Sequence, residues 1–214
     1  MSRNDDIADL RALAAIAQTG LRYAADDYDK QRYEDIRGIA ARLLAAYSGC
    51  SAGEVLALLR MDEGYPTPKI EVRAGIFRGD EVLLVQESAD GLWSLPGGWA
   101  EINLTLRENV RKEVKEETGL DVEVDELSFI HDRRLHNYRP HQYYHIYKFF
   151  FLCSQCGAPS RFTRSPFTPS REVLACAYFP LAALPALSEE RVSAAQINAL
   201  RARCAPPPRP TGFD

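Results

Sequence analysis

The feature that most constrains the fold of this chain is the stretch at residues 97–120, which reads GGWAEINLTLRENVRKEVKEETGL. A Gly-Gly pair opens it, and Thr105 with Glu108 forms an S/T-x-x-E capping box of the kind that begins a helix. Gly119 supplies the C′ glycine that commonly ends one. The pattern therefore predicts a helix over about 106–118, fixed at both ends and preceded by a glycine turn.

This predicted helix has two faces of opposite character. Glu113, Glu116 and Glu117 share a sector of ~100°. Two carboxylates ~6 Å apart repel by ~3 kcal/mol at an effective dielectric of ~20, so such a face is either solvated or neutralised by a cation. Mg²⁺ and Mn²⁺ prefer clustered carboxylates with backbone carbonyls and water. The opposite face is apolar at i, i+4 and i+8 and is expected to face the core: Leu106, Val110 and Val114.

Residues 1–66 have the periodicity of a small helical domain. The first helix is predicted to end at Gly20, and the second to cover about 28–47. A third begins at Ser51, whose capping box is completed by Glu54. Three short helices bury little core alone, so we expect a packing or dimerisation element. The acidic balance of this segment argues against a DNA-binding module.

From Lys69 the pattern changes to strands, which alternate with the helix at 106–118 and are followed by a last helix predicted over about 189–203, after Ser188. Residues 67–204 are expected to form one α+β domain of ordinary size. The proline-rich tail, 205–214, is predicted to be disordered. The predicted strands cover about 72–77, 82–86, 93–95, 121–133, 142–153 and 173–179.

Composition excludes several classes of function. The 214 residues carry a net charge of −4, which gives no basic footprint for DNA. No apolar run approaches the ~20 residues of a membrane span. The first residues lack the apolar region of a secretory signal. Five scattered cysteines, including a lone CxxC at Cys153 and Cys156, fit a reducing compartment better than a disulfide framework. We therefore expect a cytoplasmic protein with no DNA or membrane partner.

The stretch at 97–120 resembles the Nudix box of Nudix hydrolases, whose pattern is GX5EX7REUXEEXGU. With Gly98 on the first glycine, the alignment needs no gap. Glu113, Glu116 and Glu117 then fall on the glutamates that bind metal in that family. This spacing behind a double glycine rarely arises by chance.

Two positions depart from the box. Leu104 stands where the family has an early glutamate, and Lys112 stands where it has the arginine. Glu101 or Glu108 is the candidate to take over part of the early glutamate's role. These departures are similar to those of a bacterial Nudix subgroup that carries a helical N-terminal domain, and the likeness covers nearly all of residues 7–200.

This resemblance implies a Nudix-type α/β/α sandwich with a mixed sheet, preceded by a small N-terminal helical domain through which two chains form a homodimer. It implies metal-dependent hydrolysis of the pyrophosphate bond of a nucleoside diphosphate linked to another moiety, such as CDP-choline or ADP-ribose. Mg²⁺ or Mn²⁺ is expected on Glu113, Glu116, Glu117 and the Gly98 carbonyl, with Glu117 closest to the nucleophilic water. Glu172, at the start of a predicted strand, is either a further ligand or general base, or an ordinary exposed glutamate.

Four residues are candidates for substrate binding. Trp99 either stacks on a base or sugar or packs in the core. Arg73 is a candidate to reach a phosphate from its strand. Arg139 and His141 lie in HDRRLHNYRPHQYYH at 131–145, which holds all four histidines and is read either as a polar hairpin loop or as a loop that contacts substrate or a second metal.

Two other functions remain open at this point. A non-catalytic sensor could bind a nucleotide on the same fold, and an RNA-processing Nudix enzyme would need a basic groove. The three intact carboxylates of the predicted helix favour the enzyme.

Overall fold

The computed structural model describes residues 3–61, 64–136, 138, 145–156, 172–205 and 210–214. These residues form two compact units. The first holds the described residues up to Lys69 together with His145, and the second holds the others, from Ile70 onward.

The N-terminal unit consists of three helices within the described residues: α1 (Arg3–Tyr23), α2 (Asp27–Ser48) and α3 (Ala52–Arg60). Asp26 caps α2, and Ser51 with Glu54 forms both bonds of the predicted capping box of α3. A small apolar core holds the three helices together; its buried members are Ile7, Ala41, Leu44 and Val55.

Helix α1 does not end at Gly20, which differs from the expectation. It continues to Tyr23, and the Gly20 carbonyl accepts a hydrogen bond from Ala24 N–H at 2.8 Å. A Cβ at Gly20 would collide with the ring of Tyr33 on α2. The glycine therefore serves close helix packing rather than helix termination.

Part of the apolar surface of this unit stays outside its core. Leu13 and Ile16 on α1 are exposed, as are three aliphatic residues of α2: Ile36, Ile39 and Leu43. The three residues of α2 are spaced i, i+3 and i+7, so they share one helix face, and an exposed apolar face commonly marks an interaction site.

The second unit is built on a sheet whose strands, among the described residues, run in the order β3-β2-β1-β5-β4-β7, with β6 paired to β2. The pairing of β4 with β7 is parallel, and the pairings of β2 with β1, β3 and β6 are antiparallel. The elements are β1 (Lys69–Arg78), β2 (Glu81–Glu87), β3 (Trp93–Ser94), α4 (Leu106–Thr118), β4 (Val122–Asp132), β5 (Ile146–Gln155), β6 (Val173–Pro180), α5 (Ala194–Arg203) and β7 (Gly212–Phe213).

The sheet lies between two helices. Val110 and Val114 of α4 share one core cluster with Val72 of β1. Ile197 and Leu200 of α5 belong to a second cluster, with alternate residues of β2 and β5. Because successive strand residues point to opposite faces, the two clusters lie on opposite sides of the sheet. The α/β/α sandwich with a mixed sheet is thereby confirmed.

Helix α5 begins later than expected. It starts at Ala194, where Ser193 and Gln196 form a capping box. Ser188, the expected start, instead donates its hydroxyl hydrogen bond to Asp90 at 2.7 Å. The helix thus begins at the Ser-x-x-Gln capping box, which lies close to its apolar residues, and not at the earlier serine.

The described end of the tail is also ordered, contrary to the expected disorder. Strand β7 pairs with Phe129 and Ile130 of β4, and Thr211 donates a hydrogen bond to Leu127 O at 2.9 Å. The tail covers backbone groups that would otherwise be left open along β4, a common protection of sheet edges. Residues 206–209 of the tail lie outside the described residues.

In the part of the chain that the structure describes, none of the helices combines the length and the apolar character required to traverse a bilayer. All five cysteines are free thiols.

Candidate active site

The glycine turn before α4 is shaped for close contacts. Gly97 has φ +138°, and a Cβ there would collide with the carbonyl oxygen of Val72. Its N–H donates a hydrogen bond to Glu117 Oε2 at 2.7 Å. A Cβ on Gly98 would lie 2.9 Å from Glu113 Oε2. Both glycines therefore let the backbone approach the carboxylates of the helix.

Helix α4 holds these carboxylates in place through its own ends. The Thr105 hydroxyl caps Glu108 N–H, and the Glu108 carboxylate accepts from Thr105 N–H at 2.8 Å. Gly119 ends the helix in the left-handed conformation. Both predicted end signals are present, so the register of the acidic face is set locally.

Glu117 and Glu113 form an electrostatically unfavourable pair in the absence of a cation. Glu117 is 7% exposed, and burial raises its pKa to about 8 although Arg73 acts against the shift. Burial also raises the pKa of Glu113. Among the described residues, neither carboxylate has a lysine or arginine salt-bridge partner. A buried and a half-buried carboxylate without a paired cation, beside a polar backbone turn, are a donor set that fits a divalent cation.

Glu116 is placed differently from the other two. Its side chain is 58% exposed, and Lys112 Nζ lies 2.6 Å from its Oε2. Lys112 also pairs with Glu101 at 3.2 Å. The structure thus brings Glu113 and Glu117 to the glycine turn, while Lys112 holds Glu116 at the surface. Of the two candidate substitutes for the early glutamate, Glu101 contacts Lys112, and Glu108 is used in the helix cap.

Asn109 organises the loop before α4, which the sequence reasoning missed. Its side chain is buried; Oδ1 accepts from Glu101 N–H at 2.7 Å, and Nδ2 donates to Leu104 O at 3.3 Å and Thr105 O at 3.1 Å. An asparagine inside a helix has low intrinsic propensity, which is the one sequence signal for such a role.

Arg73 is buried, at 4% exposure, and its guanidinium is engaged by protein groups. Nε lies 2.6 Å and Nη2 2.5 Å from Glu71 Oε1. Nη1 donates to Leu95 O at 2.9 Å and lies 3.8 Å from Glu87 Oε1. The side chain therefore points into a buried ion-pair cluster rather than into solvent.

Lys148 completes this cluster and was not foreseen from the sequence. Its amine is fully buried, 3.1 Å from Glu71 Oε1, and donates to Arg191 O at 2.6 Å. Burial lowers the pKa of Lys148 to about 7. Burial opposes ionisation of Glu71 as well, but the charges of Arg73 and Lys148 hold the pKa of Glu71 below its ordinary value. The sequence signal for this cluster was the spacing of Glu71 and Arg73, because residues two apart on a strand point to the same face of the sheet.

Two of the remaining predicted residues, Trp99 and Glu172, lie among the described residues. Trp99 is 49% exposed, which is incompatible with a packed core indole, and it pairs with Glu71 through a β-bridge. Glu172 is exposed beside β6, where its carbonyl accepts from Ser88 N–H at 2.8 Å, and its charge adds to burial in raising the pKa of Glu113. Arg139 and His141 lie outside the described residues.

The structure groups two histidines of the predicted loop with the tail. The rings of His131 and His136 stack at 3.7 Å with 15° between their planes, and His136 Nε2 lies 3.0 Å from Asp214 Oδ1. One possible ligand atom from each of the three side chains lies within 4.8 Å of the other two. In parallel stacked rings, however, the in-plane lone pairs do not converge on one point. The arrangement serves to anchor the tail against β4.

Comparison with known proteins gives two family matches. Residues 67–200 match the family model for the NUDIX domain, and residues 7–59 match the model described as a UDP-X-like, N-terminal oligomerisation domain.

Two relatives match over most or all of the chain. YjhB of Bacillus subtilis (strain 168), by name a candidate ADP-ribose pyrophosphatase, is 40% identical over 202 residues, which cover 94% of this chain and 93% of that protein. The crystal structure of a UDP-X diphosphatase is 30% identical, with a TM-score of 0.59 and full coverage of both chains.

A third relative matches part of the chain. The crystal structure of an ADP-ribose pyrophosphatase from Streptococcus suis 89-1591 is 38% identical with a TM-score of 0.56, and the match covers 69% of this chain and 100% of that one. The expected family and its helical N-terminal domain are thereby confirmed, and the chain belongs to the Nudix family of hydrolases.

Proposed function

We propose that this chain hydrolyses the pyrophosphate bond of a nucleoside diphosphate linked to another moiety, with Mg²⁺ or Mn²⁺ as the cofactor. The observation that carries the proposal is the arrangement of Glu113 and Glu117. Both sit at a tight glycine turn, burial raises the pKa of both, and neither has a basic salt-bridge partner among the described residues. A divalent cation supplies the missing positive charge.

Glu113 and Glu117 are the primary ligands in this proposal, and Glu116 joins them after leaving Lys112. The Gly98 carbonyl accepts from Val72 N–H at 2.9 Å, which leaves its second lone pair for a ligand bond. When bound, the metal polarises a phosphoryl oxygen and lowers the pKa of a water.

Three of the chain's own residues position the reaction. The Gly97 N–H fixes one oxygen of Glu117, leaving the other oriented for the nucleophilic water. Glu172 is the proposed general base or further ligand, since its charge contributes to the raised pKa of Glu113. The half-exposed indole of Trp99 offers a stacking surface for a base or sugar next to the glycine turn.

The relatives narrow the proposed substrates. Two of them are named for ADP-ribose and one for UDP-X. We therefore propose ADP-ribose and UDP-linked compounds as the first substrates to test, and we add CDP-choline because the resemblance of the sequence to the Nudix subgroup implies it.

The test is release of nucleotide or phosphate from this panel with Mg²⁺ and with Mn²⁺. Wild type, Glu117→Gln and Glu123→Gln are compared, the last being an exposed glutamate of β4 paired with Arg111. We expect metal-dependent turnover that Glu117→Gln abolishes and Glu123→Gln retains. Tight nucleotide binding without turnover would instead establish the sensor alternative.

We also propose a homodimer through the exposed apolar surface of α1 and α2. Its support is the match of residues 7–59 to an oligomerisation domain, together with exposed Ile39 and Leu43. Size exclusion with light scattering should give a dimer for wild type and for Gln31→Glu, and a monomer for Ile39→Glu. A monomeric wild type at micromolar concentration would refute the proposal.

A further inference from the structure

We infer that Arg73 is a positioning residue: it fixes the start of the glycine turn, and through that turn the backbone group that holds Glu117, rather than contacting the substrate. The juxtaposition that carries this inference is the bond from Arg73 to Leu95 O, two residues before Gly97. The inference rests on the metal site of the proposed function.

The first step is that Arg73 has little capacity left for a phosphate. Each of its three guanidinium nitrogens has a protein partner, Nε and Nη2 on Glu71 and Nη1 on Leu95 O. Its side chain is 5% exposed. A phosphate-binding arginine needs at least one free edge of its planar fork.

The second step follows the turn from Leu95 to Glu117. Pro96 O accepts from Ala74 N–H at 2.8 Å, so the backbone of β1 holds the residue before Gly97. Gly97 then donates to Glu117 Oε2 at 2.7 Å. Arg73 and the backbone of β1 therefore secure the turn at successive residues, and the turn presents its N–H to the carboxylate.

The third step is that Arg73 is itself held from two strands. Glu71 lies on β1, and Glu87, at the end of β2, accepts from the Ser94 hydroxyl at 2.5 Å. Ser94 directly precedes Leu95 and lies 3.4 Å from Arg73 Nη1. Outer partners that orient ligand groups in this way commonly control metal affinity.

A lysine cannot reproduce this arrangement. Its single ammonium lacks the fork that reaches Glu71 and Leu95 O at once. Arg73→Lys should therefore restore only part of what Arg73→Gln loses, because it keeps the charge but not both contacts.

The experiment measures Mn²⁺ binding to the full chain by electron paramagnetic resonance without substrate, followed by kcat and KM with the best nucleotide substrate. The variants are Arg73→Gln, Arg73→Lys and Glu117→Gln. Arg203→Gln is the matched control, since Arg203 is 10% exposed and pairs with Glu126 at 2.5 Å in the same unit. If Arg73→Gln does not fold, the triple variant Glu71→Gln/Arg73→Gln/Lys148→Gln replaces it, because it removes both cations paired with Glu71 together with Glu71 itself, and the same loss of Mn²⁺ binding is expected.

We expect Mn²⁺ binding to weaken by roughly 10- to 100-fold in Arg73→Gln, with kcat falling in parallel and KM little changed. Arg73→Lys should fall between this variant and wild type, and Arg203→Gln should match wild type. Unchanged Mn²⁺ binding in Arg73→Gln, or a rise in KM alone, would overturn the inference. Equal weakening in Arg203→Gln would also overturn it, since general destabilisation would then suffice.

Failure of the underlying function gives a different result. If wild type does not bind Mn²⁺, or binds it as well after Glu117→Gln, the proposed metal site is wrong. If wild type binds Mn²⁺ through Glu117 and Arg73→Gln binds equally well, only the role of Arg73 is wrong.

Discussion

Two pairs of glutamates in the same unit meet opposite electrostatic conditions. Glu71 and Glu87 are buried beside cations: Arg73 and Lys148 contact Glu71, and Arg191 Nε lies 3.1 Å from Glu87. The pKa of Glu71 is accordingly held below its ordinary value. Glu113 and Glu117 have no such partners among the described residues, and burial raises the pKa of both.

This difference indicates which carboxylates stabilise the fold and which serve function. Removing one partner of a fully paired buried carboxylate leaves an uncompensated charge and so lowers stability. A buried carboxylate without a paired cation is costly unless something else neutralises it. We therefore expect the first pair to govern stability and the second pair to govern metal binding and catalysis.

The largest effect should come from Glu117→Gln. We expect kcat to fall by about 10³-fold, since the carboxylate that we propose to lie nearest the nucleophilic water is lost. The stability of the metal-free protein should be equal or higher, because the amide oxygen still accepts from Gly97 N–H and no charge is buried. Kinetics and urea unfolding in chelator measure the two quantities, and a clear loss of metal-free stability would contradict the comparison.

Glu71→Gln should have the opposite effect: we expect its main loss in the free energy of unfolding rather than in kcat. Breaking a buried ion pair from one side typically costs about 3–5 kcal/mol, because Arg73 and Lys148 lose their common anion. Glu123→Gln, which breaks an exposed pair with Arg111, should cost less than about 1 kcal/mol. Urea unfolding of both variants compares them directly, and equal costs would remove the distinction.

Metal addition should sharpen the comparison further. At a concentration of about 100 times its Kd, Mn²⁺ should stabilise wild type by about 2.7 kcal/mol. Glu117→Gln should gain little stability from Mn²⁺, since one of the proposed metal ligands is missing. Thermal unfolding with and without Mn²⁺ measures this, and equal stabilisation of both proteins would place the metal elsewhere.

The smallest expected effect concerns His131, which lies outside both glutamate pairs. Burial lowers its pKa from 6.5 to about 4, with the charge of His136 acting in the same direction. Because the folded pKa is lowered, its stabilising contribution is present above pH 6.5 and is lost as pH falls toward 4. At this half-buried ring we expect a loss of about 1 kcal/mol.

Urea unfolding across this pH range tests the prediction. His131→Phe should lose less stability than wild type as the pH falls. Parallel pH profiles for His131→Phe and wild type would contradict the assignment.

The sequence predicted α4, its two ends and its acidic face correctly because each depends on neighbours three or four residues away. The capping boxes of α3 and α4 and the left-handed Gly119 are of this local kind. The expected end of α1 at Gly20 was wrong because the deciding contact, the ring of Tyr33, comes from another helix. The start of α5 was misplaced because two serines compete, and only their tertiary partners distinguish Ser188 from Ser193.

The same distinction between local and distant contacts applies to the residues of the site. The spacing of Glu113, Glu116 and Glu117 behind the glycine pair follows from the sequence by itself, since helical geometry fixes which side chains share a face. Only the tertiary structure decided that Arg73 turns inward to Leu95 O and that Lys148 joins Glu71 in the same buried cluster. Burial and charge compensation depend on strands and turns far apart in the chain, and no local pattern encodes which of them will meet.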